Sequence, residues 1–425
     1  MKRNIFVFMF VVLALFLGFG FMMGCGTGGG GSAPQPFVAD IYVSTTGSDE
    51  SGDGSLDNPY KTVEKALGMV SPEGTIGVFD GIYKEDEIDW PDTANITLKG
   101  ASKTGTIIDG DSNTKKLFRI WGVSSVGIIT IESMTIRDSY VDGFGGAIFH
   151  NLDIPLHLKN VILSGNIGTQ KGGAVHVSSG SLVAQNCTFS NNKCTKTGTN
   201  FGGGAIYVGA SEVFIATDCV FENNSASPES GGAVYNLGTI NLKRCSINGN
   251  TAFVDGGGIA NIGTTSQGRV ENCLIYNNEA GGNGAGIFDA STLTLEVVNC
   301  DIVSNEAGFN GGGVWAGNET WVRNCIIWGN LAGNAEPQLG TCATPYLDYS
   351  DVQDLAGLSA GVVFGPGTIE AYPNFAGLPP SNDDDLRLNS PPSEVAQGGT
   401  TDNAPDDDFD GNPRGGSYSM GAFEY

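Results

Sequence analysis

Charge is sparse in this chain of 425 residues, and positive charge is the sparsest kind. Charged side chains make up 16% of the residues, and 46 acidic against 21 basic ones leave a net charge of −25. Such an acidic protein repels phosphate backbones, so nucleic acid is not an expected partner. Hydrophobic residues nevertheless make up 40% of the chain, which is too many for a disordered protein.

Long apolar runs are absent except for one at the N-terminus. Residues 5–23 are apolar, follow the basic head Met1-Lys2-Arg3 and end at Gly24-Cys25. This order predicts a secretory signal. A run of 19 apolar residues also nearly suffices to span a bilayer, so a plain membrane anchor remains the alternative.

The junction Gly24-Cys25 resembles the lipobox of bacterial lipoproteins, in which a small residue precedes the Cys that becomes acylated. The resemblance implies a signal peptide over residues 1–25, a lipid on Cys25 and attachment to a membrane through that lipid. Residues 26–39, which are rich in Gly, Ser and Pro, would form a flexible tether. Gly26 stands where inner-membrane lipoproteins carry Asp, which favours the outer membrane or the cell surface.

The 65 glycines lack the three-residue period of collagen, but two short phrases recur instead. One is Gly-Gly-(Ala/Gly)-(Ile/Val), with a Gly-Ala-Gly-Ile variant, and the other is Cys-x-apolar-x-x-Asn. The glycine phrase starts at residues 145, 172, 203, 231, 256, 284 and 311. Together the phrases repeat with a period of about 27 residues, which is typical of a stacked array.

Short alternating apolar runs within each repeat indicate strands rather than helices. A unit of this length cannot bury both of its faces, so it must coil upon its neighbours. The sequence therefore predicts an all-β, single-stranded, right-handed parallel β-helix. Such a solenoid resembles the pectin-lyase-like proteins. We expect an N-terminal cap and first coils over residues 40–110, repeats over 111–335, and C-terminal coils with a cap over 336–425. One short capping helix is predicted over Thr62–Val70.

The repeated Cys and Asn residues are expected to form two columns, because equivalent positions on successive coils lie about 4.8 Å apart. The Cys column is interpreted as inert core packing, with disulfides or a metal as the alternatives. The Asn column is interpreted as structural, since Asn tolerates left-handed turns and stacked amides bond to one another. Cys194 and Cys342 lie outside the column. The two columns comprise Cys187, Cys219, Cys245, Cys273, Cys300 and Cys325, and Asn166, Asn192, Asn224, Asn250, Asn278, Asn305 and Asn330.

Two parts of the chain resemble known families. Gly203-Gly204-Ala205-Ile206 with Phe221-Glu222-Asn223-Asn224 resembles the repeats of chlamydial polymorphic outer-membrane proteins, which implies a β-helical surface adhesin. Those proteins carry a C-terminal barrel, for which the roughly 95 residues after Asn330 are too few. The stretches at residues 386–391, 409–414 and 420–425 resemble the choice-of-anchor Q domain, which closes β-helical bacterial surface proteins.

The sequence offers two candidate calcium sites, an acidic run in this C-terminal region and the pair Asp49 and Asp53, which flank a Gly turn near the N-terminal cap. Asp406, Asp408 and Asp410, followed by Gly411, match the first half of a calcium loop, but Ser417 stands where the bidentate Glu belongs. We expect no other cofactor.

Aromatic residues recur directly after the glycine phrase and predict an outward row of rings that binds glycans. The row consists of Phe149, His176, Tyr207, Tyr235, Phe288 and Trp315. The alternative is that these rings face the core or stack on one another. We therefore expect a monomeric surface protein with a binding, adhesive or structural role, and polysaccharides or cell-surface glycans as partners.

An enzyme is the competing hypothesis, because many β-helices are polysaccharide lyases or glycoside hydrolases. A hydrolase needs two carboxylates beside the scissile bond, and a lyase needs a basic side chain, often with Ca²⁺. Lys171 and Arg137 on the repeated strands have no acidic cluster beside them, and His150, His157 and His176 match no galacturonase motif. The sequence predicts no catalytic residue.

Overall fold

The computed structural model describes residues 37–92, 95–111, 117–122, 127–198, 200–317, 319–341, 343–358, 360–415 and 418–425. The described strands pair in parallel, coil after coil. They form a right-handed parallel β-helix of about 10 turns, which confirms the fold predicted from the sequence. Within the described ranges, no helix has the length and apolar character that a bilayer span requires. Cys25 and the predicted signal peptide lie outside the described residues.

The first coils are closed at their open end by a short helix, α1. Thr62 caps its N-terminus by accepting a hydrogen bond from the backbone of Lys65, and Val63, Ala66 and Leu67 are buried against the core. The helix is shorter than predicted because it ends before Gly68. The elements of this region are β1 Ile41–Val43, α1 Val63–Leu67, β2 Thr75–Val78, β3 Gly81–Lys84, β4 Ile88–Asp89, β5 Thr97–Gly100, β6 Thr106–Asp109 and β7 Phe118–Trp121.

Each repeated coil contributes four strand segments, which stack into four columns. In one coil, column A contains Ile206–Val208, column B Val213–Thr217, column C Val220–Glu222 and column D Ser225–Ala226. The strands of the repeats are β8 Ile129–Arg137, β9 Tyr140–Val141, β10 Ile148–Ser164, β11 Ile167–Gly168, β12 Val175–Gln185, β13 Thr188–Ser190, β14 Lys193–Cys194, β15 Ile206–Val208, β16 Val213–Thr217, β17 Val220–Glu222, β18 Ser225–Ala226, β19 Val234–Asn236, β20 Thr239–Lys243, β21 Ser246–Asn248, β22 Thr251–Ala252, β23 Ile259–Gly263, β24 Gln267–Glu271, β25 Leu274–Tyr276, β26 Glu279–Ala280, β27 Ile287–Ser291, β28 Leu295–Val298, β29 Asp301–Val303, β30 Glu306–Ala307, β31 Val314–Ala316, β32 Thr320–Arg323, β33 Ile326–Trp328 and β34 Leu331–Ala332.

The C-terminal region closes the coil and then turns back along its side. Leu355 and Leu358 pack on the core next to the last coil. The chain that follows, the tail of residues 369–425, covers apolar side chains on the outer face of column C, among them Tyr276, Val303 and Ile326. The elements are β35 Leu339–Thr341, β36 Tyr346–Asp348, β37 Asp351–Val352, β38 Val363–Phe364, α2 Ser393–Ala396 and the 3-10 helices Leu355–Gly357 and Asp383–Leu386.

The six repeated cysteines stack as free, buried thiols at the start of column C. The backbone N–H of Cys187 points to Sγ of Cys219 at 3.5 Å, and that of Cys245 points to Sγ of Cys273 at 3.4 Å. Burial raises the pKa of the Cys187 thiol well above its ordinary value, which makes it a poor nucleophile and metal ligand. Cys194 lies buried in column D, where burial raises its pKa to about 12. Cys342 is outside the described residues.

The asparagine column is a continuous hydrogen-bonded ladder at the turn between columns C and D. The side chain of Asn192 donates to Oδ1 of Asn224 at 3.0 Å and to the carbonyl of Leu163 at 2.9 Å. The same pattern runs to Asn330, which donates to Gln338. The left-handed residue is the one before each ladder position, for example Asn191 with φ 56° and Asn223 with φ 54°. The ladder asparagines thus stabilise the turn through hydrogen bonds of their side-chain amides. The expectation that they themselves adopt the left-handed backbone conformation is wrong.

Ladder positions also reveal how coil length varies. Neighbouring ladder residues are 25 to 28 positions apart, except for Asn192 and Asn224, which are 32 apart. The additional residues precede Gly202 and Gly203, at the corner between columns D and A. Both ladder residues still bond at 3.0 Å, so the longer coil keeps its register.

A second buried polar chain lies between columns A and B and has no counterpart in the repeated phrases. Asn236 donates to Asn261 at 2.6 Å, Asn261 donates to Asp289 at 2.9 Å, and the hydroxyl of Thr320 donates to Asp289 at 2.6 Å. All four side chains are buried. This chain satisfies polar groups that would otherwise destabilise the core.

Replacing a central ladder residue should destabilise the fold strongly. Asn250→Ala removes the acceptor of the Asn224 side chain and backbone and the donor to the carbonyl of Phe221. Because these groups stay buried without partners, we expect a loss of about 2–4 kcal/mol in the free energy of unfolding, measured by urea denaturation. Exposed Asn241→Ala is the control and should change it by less than about 0.5 kcal/mol. Equal losses in both variants would contradict the ladder's role.

A buried carboxyl under the tail should make stability depend on pH. Asp351 accepts the backbone N–H of Ala371 at 2.8 Å, while its Oδ2 has no hydrogen-bond partner among the described residues. Burial raises its pKa to about 7. The folded pKa exceeds the unfolded value of about 3.9, so the stability this group contributes is complete at low pH and is lost as pH rises through about 7.

Asp351→Asn should therefore resemble the parent protein at pH 4 and exceed its stability at pH 8 by about 1–4 kcal/mol. The free energy of unfolding, measured across this range, tests the difference. Asp57→Asn, at an exposed position, should show no such trend. A stability difference that is constant from pH 4 to 8 would refute a neutral Asp351.

Candidate functional site

The row of rings predicted from the glycine phrase exists, but most of it is covered. Phe149, His176 and Tyr207 are in register on the outer side of column A, and the row continues to Trp315. Exposure is only 5% for His176, 2% for Tyr207, 5% for Tyr235 and 9% for Phe288.

The rings cover one another because coil spacing matches ring stacking. Tyr207 and Tyr235 stack with centroids 5.2 Å apart and planes 6° apart, and Lys171 lies 4.6 Å above the Tyr207 ring. Phe149 and Trp315 are half-buried at the two ends of the row. The prediction of an accessible glycan-binding stripe is therefore wrong, and stacking of the rings on one another, the alternative, describes the row.

The predicted calcium loop is not assembled either. Asp408 accepts the backbone N–H of Asn412 at 2.7 Å, and Asp410 pairs with Arg387 at 2.7 and 2.8 Å. Within the described ranges no three Asp, Glu, His or Cys side chains converge as a metal site would need. The side chain of Asp408 is thus engaged in a turn, and that of Asp410 in an ion pair. Ser417 lies outside the described residues.

A different surface carries an open row of chemically diverse side chains, the outer face of column B. Strand alternation buries Phe214 and Ala216 and turns Ile215 and Thr217 outward. Register then aligns six outward residues on successive coils, over roughly 24 Å at sheet spacing. The row contains Ile215, Asn241, Arg269, Glu296, Trp321 and Tyr346.

The C-terminal end of this row is aromatic. Trp321 and Tyr346 stack with centroids 4.2 Å apart and planes 16° apart, and Tyr346 is 37% exposed. This pair differs from the rings of column A because it lies at the end of its column. Only the short strand β38 pairs with the strand of Tyr346 on the C-terminal side. A flat apolar platform with polar groups beside it is suited to stacking against the face of a sugar ring.

Next to the platform, basic and acidic side chains form an array of ion pairs. Arg269 contacts Glu271 at 2.6 Å and also Glu296, and Arg323 contacts Asp348 at 2.8 Å. Burial would lower the pKa of Arg269, but the hydrogen bonds and charges of Glu271 and Glu296 outweigh it and raise the pKa above its ordinary value. The ion pairs fix the orientation of side chains that would otherwise be flexible.

The tail forms one wall beside this face. Asp407 contacts Lys243 at 2.8 Å and Arg244 at 2.5 Å, and the backbone carbonyl of Asn403 accepts from Arg269 at 2.6 Å. A cavity of about 280 Å³ lies between Ile215, Asn241, Lys243, Arg269 and Glu271. We define the groove as the outer face of column B from Ile215 to Tyr346 together with residues 402–407 of the tail.

Sequence reasoning missed the groove for two reasons. The outward residues of column B differ from coil to coil, so no repeated phrase marks them. The tail residues that complete the wall lie 134 positions from Arg269 in the case of Asn403, and 163 positions from Arg244 in the case of Asp407. The alternation of residues 239–243 and 267–271 was the one available signal.

Comparison with known proteins agrees with the fold. Residues 146–327 match the family described as right handed beta helix region. Among solved structures, the pectate lyase Pel9A is similar over 90% of this chain and 96% of its own, with 14% identity and a TM-score of 0.55. The complex of XylC with xylose is similar over 90% of this chain and 98% of its own, with 12% identity and a TM-score of 0.54.

A curated protein is also similar to part of the chain. The metabotropic glutamate receptor-like protein R of Dictyostelium discoideum is 29% identical over 198 residues, which are 44% of this chain and 12% of that protein. The structural similarities show the β-helix fold that this chain shares with the pectate lyase and with XylC. No catalytic identity follows from that fold.

Proposed function

We propose that this protein is an exported, surface-attached β-helix that binds a polysaccharide chain along the groove. The observation that carries the proposal is the Trp321–Tyr346 stack, whose Tyr346 ring is 37% exposed, in line with Arg269 and Glu296 on the same face. Aromatic faces bind the apolar faces of sugar rings, and the fixed carboxylates and guanidinium groups bond to hydroxyls. A structural neighbour that was solved with xylose, at similar size and fold, supports a glycan as the ligand.

The length of the groove favours a chain over a single sugar. Six outward positions at coil spacing extend over roughly 24 Å, and they lie side by side without an intervening loop in the register of the strands. A polymer can use several of these positions at once, so weak contacts add up. The resemblances to chlamydial surface repeats and to the choice-of-anchor Q domain remain predictions that agree with surface display.

Removing the platform should weaken polysaccharide binding. Trp321→Ala and Tyr346→Ala each delete one ring of the stack, and we expect affinity for the bound polysaccharide to fall about tenfold or more. Affinity electrophoresis in gels that contain soluble polysaccharides, followed by calorimetry with the best ligand, measures the change. Trp121→Ala is the matched control, because this Trp is 52% exposed on column A, away from the groove. Equal loss in the control, or none in the platform variants, would contradict the site.

Hydrolysis is the second candidate function. It is favoured by one observation, two carboxylates, Glu271 and Glu296, that contact the same guanidinium inside the groove. Paired carboxylates are the machinery of glycoside hydrolysis. Release of new reducing ends from a bound polysaccharide, abolished by Glu296→Gln, would establish this function in place of passive binding.

Surface attachment rests on the predicted lipid at Cys25, and labelling can test it. Expression of the full chain in a Gram-negative bacterium with a palmitate analogue should label the protein and place it in the membrane fraction. Cys25→Ser should lose the label, whereas Cys194→Ser should keep it. Membrane association without any label would instead support the uncleaved apolar anchor.

A further inference from the structure

We infer that the groove selects uncharged polysaccharides and excludes chains rich in uronic acid, an inference that rests on the proposed polysaccharide-binding function. The argument is electrostatic. Four basic side chains face the groove or its edge, and each one contacts two carboxylates of the protein itself.

Lys243 is the clearest case. Its ammonium contacts Glu271 at 3.4 Å and Asp407 at 2.8 Å, and its side chain is 31% exposed. A uronate carboxylate would have to displace one of these partners or become the third carboxylate on a base that already has two. Because the ion pair that is lost offsets the one that is gained, and the displaced carboxylate remains beside the ligand through its second base, the exchange offers an anionic ligand no gain.

The tail strengthens this exclusion. Asp407 and Asp402 both come from the tail, and they contact Arg244 and Arg323 in addition to the carboxylates that the coils already supply. Together these ion pairs contain six carboxylates and four bases, so two negative charges are in excess. The net charge of −25 adds long-range repulsion of any polyanion.

An uncharged chain meets none of these obstacles. Its hydroxyl groups can donate to carboxylate oxygens that keep their ion pairs, since each carboxylate has about four acceptor sites. Its apolar ring faces can stack on Trp321 and Tyr346, which are not part of these ion pairs. The groove thus combines an apolar platform with hydrogen-bonding groups that carry no net positive charge with which to attract an anionic chain.

Calorimetry with two panels of soluble chains tests this inference. The neutral panel contains unsubstituted xylan oligosaccharides, β-glucan and mannan, and the acidic panel contains polygalacturonate and alginate. We expect the parent protein to bind a member of the neutral panel at least about tenfold more tightly than any acidic chain at low salt. Equal or tighter binding of an acidic chain would overturn the inference and leave the proposed function standing. Binding of neither panel would refute the proposed function itself.

A gain-of-function variant tests the cause. Glu271→Gln with Asp407→Asn frees Lys243 from both of its carboxylates, and we expect polygalacturonate affinity to rise about tenfold and to fall again with added salt. The readout is the ratio of polygalacturonate affinity to neutral-chain affinity, because Glu271 and Asp407 are also among the groove groups that bond to hydroxyls. No gain for polygalacturonate would overturn the inference.

The matched control is the double variant Asp111→Asn with Asp142→Asn. It makes the same change in net charge and frees Lys84 and Lys196, whose ion pairs lie outside the groove. A gain as large in this control would overturn the inference, because total charge and not the groove would then be responsible. Should the first double variant fail to fold by circular dichroism, Asp402→Asn replaces it. The Asp402 side chain is 81% exposed, and a gain of about threefold is expected there.

Discussion

Stacking in register is the constraint on which the whole molecule depends. No single coil can bury its inward side chains, so every coil needs a neighbour whose equivalent residues lie one sheet spacing away. Backbone hydrogen bonds set this spacing along the columns, and the asparagine ladder repeats it at the turn between columns C and D. This coil-to-coil spacing also determines how the core packs and how the thiols stack. It determines the distances within the buried polar chain from Asn236 to Thr320 as well.

The same constraint explains why repeated residues could be predicted and others could not. Cysteine and asparagine recur with the coil period, so alternation alone places Cys219 and Asn224 correctly within a β-helix. The prediction that the rings of column A are exposed was wrong, because the coil spacing that aligns Tyr207 with Tyr235 also brings the faces of the two rings into contact. Alternation gives the direction of a side chain, but its exposure depends on what the neighbouring coils place beside it.

The groove could not be predicted from the repeat pattern, for a different physical reason. Its outward residues vary from Ile215 to Tyr346 because they face solvent, where packing does not restrict residue type. Its wall comes from the tail, which packs on the side of the coil since Tyr276, Val303 and Ile326 need an apolar cover there. Contacts as remote as that of Arg269 with Asn403 follow from the complete fold. The predicted C-terminal cap thus corresponds to two structures, a short plug at Leu355 and Leu358 and a long lateral cover.

The coil that contains 32 residues between Asn192 and Asn224 shows where this architecture has freedom. Its extra length leaves the columns through the corner before Gly202, and the hydrogen bonds on either side are unchanged in length. The stacked columns are thus rigid, whereas the corner before Gly202 accepts additional residues. A foreign segment inserted at this corner would project from the protein without changing the spacing of the columns, so the scaffold can acquire new surface loops while its core is unchanged.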